Sequence, residues 1–189
     1  MRIPLEFRLL LLAALGLRLL ASAKKRKKSE EKESVYFNEL PDFEPIKGET
    51  FAFDNLKNNR KNIYRSIIRG HETDNKLFFL IFLIQKLEKS LSKGGIYRFF
   101  WFEPHLVAAF YESLVYLGMT GYSEKFGEIL SQISNENFLK LKKQDYHQLS
   151  AQSFQVDGDC PAGVFEEFDS LFLLENFNEA VENKFFINQ

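Results

Sequence analysis

The stretch LFFLIFLI, residues 77–84, offers no polar side chain to any face of a helix. A helix that is apolar all round belongs in the middle of a bundle rather than on its surface. Leu87 and Leu91 extend the pattern, giving a helix of about 18 residues. A confident membrane span needs about 20 apolar residues. The charged neighbours Asp74, Lys76, Lys86 and Glu88 bound the run on both sides. The chain must therefore supply several amphipathic helices to wrap this one.

They are legible in the 3.6-residue spacing of apolar positions. Asp54 is a good N-cap for a helix with Leu56, Ile63, Tyr64, Ile67 and Ile68 on one stripe, stopped at Gly70. Asp74 caps the central helix and Gly94-Gly95 ends it. Pro104 fits the first turn of the next, which carries Leu106, Val107, Phe110, Leu114 and Leu117 and stops at Gly118. Ser123 is the expected cap of a helix with Phe126, Ile129, Leu130 and Ile133. The polar stretch NENFLKLKKQDYHQLSAQS is ambiguous, and DGDCPAG is a loop. VFEEFDSLFLLE and NFNEAVENKFFIN close the chain as two short helices, the second starting at Asn176 or Asn178. No segment alternates with period two for long. The predicted fold is all-α: a single helical domain of about six helices. Residues 35–50, with Pro41, Pro45 and Gly48, are an extended lead-in whose aromatics dock on that domain.

Charge divides the chain. Residues 1–34 hold nine Lys/Arg and four Glu, whereas 35–189 hold sixteen Lys/Arg and 22 Asp/Glu, a net of −6. Direct nucleic-acid binding by the body is disfavoured, because phosphates need a cationic face. A basic protein partner fits that charge; so does mere solubility. Residues 1–34 form a hydrophobic leader plus basic linker. Arg2 and Arg8 precede the apolar run Leu9–Leu17, and Ala21-Ser22-Ala23 resembles a cleavage site. Arg18 and the basic run Lys24–Lys28 oppose that reading. The segment reads alternatively as a membrane contact through residues 3–28, an inserted helix with the body held cytoplasmic, or, less readily than a signal or anchor, a disordered arm or the product of a start set too far upstream. A cytoplasmic body, associated with a membrane through the leader, is expected, and export if the leader is cleaved.

Motifs for chemistry are sparse. Gly94-Gly95 matches neither a P-loop nor a dinucleotide fingerprint. It reads as a helix corner filled by Tyr97, Phe99, Phe100, Trp101 and Phe102. Stacking on Tyr97, Phe99 and Trp101 suits single-stranded nucleic acid, but only Lys93 and Arg98 supply charge there. His71, His105 and His147 show no metal-ligand spacing. Cys160, the only cysteine, sits beside Asp157 and Asp159, which disfavour a thiolate. No catalytic, cofactor or metal site is expected.

Three segments carry a family resemblance. KGGIYRFFW at 93–101 resembles the N-G-G-F-x-Q-F-F signature of the DNA-mimic-protein-like family of small bacterial helical domains. LVYLGMTGYSEKFGEIL at 114–130 is similar to that family's next segment. VFEEFDSLFLLE at 164–175 resembles its LD-x-x-F closing helix, with Phe168-Asp169 for Leu-Asp and Phe172 for Phe. Lys93, Ile96 and Arg98 depart from the signature. The motif residues are Gly94, Gly95, Phe99, Phe100, Asp169 and Phe172. The resemblance implies a non-enzymatic domain that presents carboxylates to a basic, DNA-binding protein. The clustered acids Glu166, Glu167, Asp169, Glu175, Glu179 and Glu182 are the candidate contact residues. An immunity or accessory factor that neutralises a toxin or nuclease, an enzyme using the aromatic corner, and a homodimer remain open.

Overall fold

The computed structural model describes residues 33–40, 75–156 and 162–186. They form five α-helices and no strand: α1 (Asn75–Phe102), α2 (Val107–Tyr116), α3 (Thr120–Lys142), α4 (Ala162–Leu171) and α5 (Leu174–Phe186). The fold is all-α. The predicted helix from Asp54 to Gly70 lies outside the described residues, as do the leader, His71 and Cys160. Among the described residues no helix is long and apolar enough to cross a membrane.

The apolar run places α1 at the centre. Leu77 and Phe79 to Ile84 are all buried, with α4 and α5 packed against this helix while α3 lies against α2 and α4. The core is built largely of rings. Phe110 on α2 meets Phe99, Phe126, Phe168, Phe172 and Phe177, with centroids 4.9–6.4 Å apart. Edge-to-face geometry dominates, as ring quadrupoles prefer, and each such pair adds about 0.5–1.5 kcal/mol beyond area burial.

α1 is two helices joined at a corner. Gly94 (φ 159°, ψ 29°) and Gly95 (φ 66°, ψ −165°) break it, and it resumes from Ile96. α2 stops where Gly118 was expected to stop it. Gly118 has φ 72°, its N–H donates to Val115 O, and the Met119 N–H donates to Leu114 O. That pair of bonds is the Schellman closure. Lys142 and its successors close α3 the same way, with Gln144 (φ 58°) in the glycine position.

Three helix boundaries differ from the sequence expectation. Ser123 is not a cap: α3 begins at Thr120, and the Ser123 hydroxyl donates back to Thr120 O. The polar stretch is helical to Lys142, after a break at Ser134 (φ −162°, ψ 106°). There Ser134 Oγ accepts the Asn137 N–H and so caps the resumed helix. α5 begins at Leu174, which leaves Asn176 and Asn178 inside it. Asn178 is buried, and Asn176 reaches across to Tyr122 Oη at 2.8 Å.

Candidate functional site

Three places concentrate polar side chains. The first is the glycine corner. Restarting a helix at Ile96 leaves its N–H without an intrahelical acceptor. Asp169 of α4 supplies one: its Oδ1 accepts the Ile96 N–H at 2.8 Å. The carboxylate comes so close that a Cβ built on Gly95 would lie 1.9 Å from Asp169 Oδ2. Burial pushes the Asp169 carboxyl above its usual range, and the Ile96 bond only partly offsets this. Phe99 and Phe100 behind the corner are fully buried, Phe100 edge-on to Phe165. Tyr97 stacks on Trp101 and meets Phe165 edge-on. Arg98 lies over Phe102. Of the motif residues, Gly94, Gly95, Phe99, Phe100 and Asp169 stand at this corner, whereas Phe172 packs on Phe110, Tyr122, Phe168 and Phe177. Asp169, one of the candidate contact acids, stands here as a half-buried backbone acceptor.

The second is a latch on the segment before residue 41. Phe37 is fully buried and packs on Phe79 and Tyr116. Glu112 of α2, 4% exposed, accepts the Asn38 N–H at 3.2 Å and the Asn38 side-chain amide at 3.3 Å. The Tyr146 hydroxyl donates to the same carboxylate. Tyr36 stacks on Tyr146 at 4.0 Å and donates to Leu149 O. Burial raises the Glu112 carboxyl, opposed by the bonds from Tyr146 and Asn38. Burial also pushes the Tyr36 phenol up to about 12. The Val35 N–H donates to His105 O at 2.8 Å. Glu103 stands 3.8 Å from His105 Nε2 and 3.5 Å from Lys86.

The third is an acidic rim around a hollow. Lys125 of α3 reaches Glu128 on its own helix and Glu167 on α4, both at 2.9 Å. Glu167 first, then Glu128, holds the Lys125 ammonium above the ordinary lysine range. One face of α3 carries Glu124 and Glu128, four residues apart and both exposed. Glu166 is exposed beside Glu167 on α4, and Glu175 and Glu179 are exposed on α5, while Glu182 is half-buried. Tyr122 joins the three helices, edge-on to Phe172 and bonded to Asn176. A hollow of about 530 Å³ opens here, lined by Met119, Thr120, Tyr122, Leu171 and the rim residues Glu124, Lys125 and Glu128. A second hollow of about 410 Å³, with Tyr111, Gly127 and Phe138, shares Glu124 and Glu128.

Glu124 and Glu128 were absent from the sequence candidates, which came from the last two helices alone. Their i, i+4 spacing in SEKFGEIL, out of phase with Phe126, Ile129 and Leu130, is the signal that marks them as neighbours on an outer face. Of the histidines, His105 is buried and His147 exposed. Among the described residues no three His, Cys, Asp or Glu side chains converge on a metal-sized site. No family model matches the chain, and neither a curated protein nor a solved structure does.

Proposed function

We propose that this chain is a non-enzymatic protein-interaction domain, of the kind its resemblance to DNA-mimic proteins suggests, which binds a basic protein through exposed carboxylates of α3, α4 and α5. The single observation that carries this reading is the double ion pair of Lys125. It brings Glu128 and Glu167, from different helices, to one cation on an outer surface. Glu124 and Glu166 extend that surface on either side. Carboxylates held on a rigid scaffold attract a cationic surface and steer its approach. The body's net charge of −6 has the matching sign.

The test uses the full chain as bait for a native lysate, beside a variant with Glu124, Glu128, Glu166 and Glu167 all changed to Gln. The wild type should retain a basic protein whose affinity falls steeply as the Debye length shrinks from about 10 Å at 0.1 M salt to about 3 Å at 1 M. The variant should release it. A control with Glu136→Gln, whose carboxylate pairs with Lys140 elsewhere on α3, should not. An affinity indifferent to salt, or retained by the quadruple variant, overturns the reading.

A further inference from the structure

The hollow beside the acidic rim offers something that charge alone does not. Met119, Tyr122 and Leu171 give it an apolar lining. Leu171 is 48% exposed and Leu173 is 55% exposed, while Phe172 between them is buried. The end of α4 therefore turns two leucines outward and one phenylalanine inward. Leu171 lines the hollow together with Glu124, Glu128 and Lys125.

Resting on the interaction reading above, we propose that this hollow receives an apolar, leucine-sized side chain of the partner, flanked in the partner's sequence by Lys or Arg. The apolar group enters between Met119, Tyr122 and Leu171. The flanking cations meet Glu124, Glu128 and Glu167. A volume of this size falls within the range of natural ligand pockets, about 300–1,000 Å³, and leaves room for one such side chain and its neighbours. A second copy of this chain fits less well. A two-fold contact centred here would set Glu124, Glu128 and Glu167 against their own equivalents, and like charges brought together oppose docking. Charge complementarity thus selects a cationic partner, and the apolar lining selects what stands between its cations.

The experiment measures fluorescence anisotropy of two labelled lysine-rich peptides against the full chain. One has two central leucines, and its twin has two central serines. The leucine peptide should bind about tenfold more tightly, the equivalent of about 1.4 kcal/mol. That ratio should persist as salt weakens both, because apolar burial is not screened. Leu171→Ser should close the gap between the peptides, and Leu171→Lys should weaken both. Leu139→Ser, a change at an exposed leucine on α3 away from the hollow, should leave the gap intact.

Equal, salt-sensitive binding of the two peptides by the wild type overturns the apolar subsite and spares the acidic face. So does a leucine preference that survives Leu171→Ser. Binding of neither peptide at low salt overturns the acidic face and the subsite with it. A wild-type dimer in sedimentation that Leu171→Ser makes monomeric assigns the hollow to a second copy, which also overturns the proposal.

Discussion

The glycine corner and the Glu112 latch solve the same problem in different ways. Each uses a partly or fully buried carboxylate to accept a backbone N–H from a segment about 73 or 74 residues away in the chain. At the corner, Asp169 meets backbone that no side chain larger than hydrogen permits, so the join is steric as well as polar. At the latch, Glu112 gathers three donors, two from Asn38 and one from Tyr146, around backbone with no such restriction. A join made by excluding atoms is brittle towards substitution. One made by converging donors is graded, because each donor can be removed by itself.

The largest effect should come from the corner. Gly95→Ala places a Cβ on top of Asp169 and forces φ 66° on an alanine. With ψ −165° that backbone is essentially glycine-only and alone costs about 1–3 kcal/mol, and displacing Asp169 from Ile96 adds about 1–3 kcal/mol. Urea denaturation should therefore show a loss of about 3–4 kcal/mol. Gly118→Ala is the comparison, since φ there is also positive, at 72°, but a Cβ meets nothing within 4 Å. It should lose only about 1–2 kcal/mol. Equal losses at the two glycines would break the comparison, because the close approach of Asp169 would then carry no weight.

The latch should respond next. Glu112→Ala leaves the Tyr146 hydroxyl and the Asn38 amide without their shared acceptor, at a cost of about 1–3 kcal/mol. Limited proteolysis should show faster cutting around residues 38–40 than in the wild type, while cutting within α1 is unchanged. Loss of protection spread evenly through the chain would mean that the latch is part of the core rather than an attachment to it.

Both joins respond to pH with the same sign. Burial raises the carboxyl of Glu112, with Glu39 adding a smaller like-charge push. A carboxyl with a raised folded pKa binds its proton more tightly folded than unfolded. Its contribution is thus most favourable below the ordinary carboxylate range of about 4, and it declines as pH rises through the folded value. Asp169 tilts stability in the same direction. Glu112→Gln should flatten part of the decline in denaturation free energy as pH rises above about 4, leaving the share of Asp169. A pH profile identical to the wild type would show that Glu112 does not titrate differently on folding.

The smallest expected change is a gain. Gln144 occupies the left-handed position that closes α3, where glycine is the better residue. Gln144→Gly should stabilise the domain by about 0.5–1 kcal/mol, visible as a raised denaturation midpoint. It sharpens the contrast with Gly95, since one site lacks the glycine its backbone favours and the other cannot do without it.

These contrasts also explain what the sequence revealed. The central helix was legible because Leu77 to Ile84 left it no exposed face. The corner and the stop at Gly118 were legible because glycine announces backbone that other residues avoid. The latch was not: Glu112 is one acid within a helical stripe, and its partners Asn38 and Tyr146 come from distant parts of the chain. Polar residues near helix starts misled for a related reason. Ser123 and Asn178 have cap chemistry, but packing of Phe126 and Phe177 set the helix registers around them, and local propensity yielded to burial. The break at Ser134 was hidden because serine in a polar stretch carries no apolar signal. The proposed contact residues were half visible. Residues on α4 and α5 stood out by clustering, whereas Glu124 and Glu128 belonged to it only once α3 had been laid beside α4.

Lys125 would compete with a cationic partner for the carboxylates it pairs with. Its ammonium already sits between Glu128 and Glu167, so an approaching guanidinium or ammonium meets a rival rather than an empty anion. The proposed association at that spot would be an exchange of one cation for another, with the displaced lysine swinging back to water. The salt slope of binding should then be shallower than a tally of nearby glutamates suggests, and swapping Lys125 for a neutral residue should steepen it.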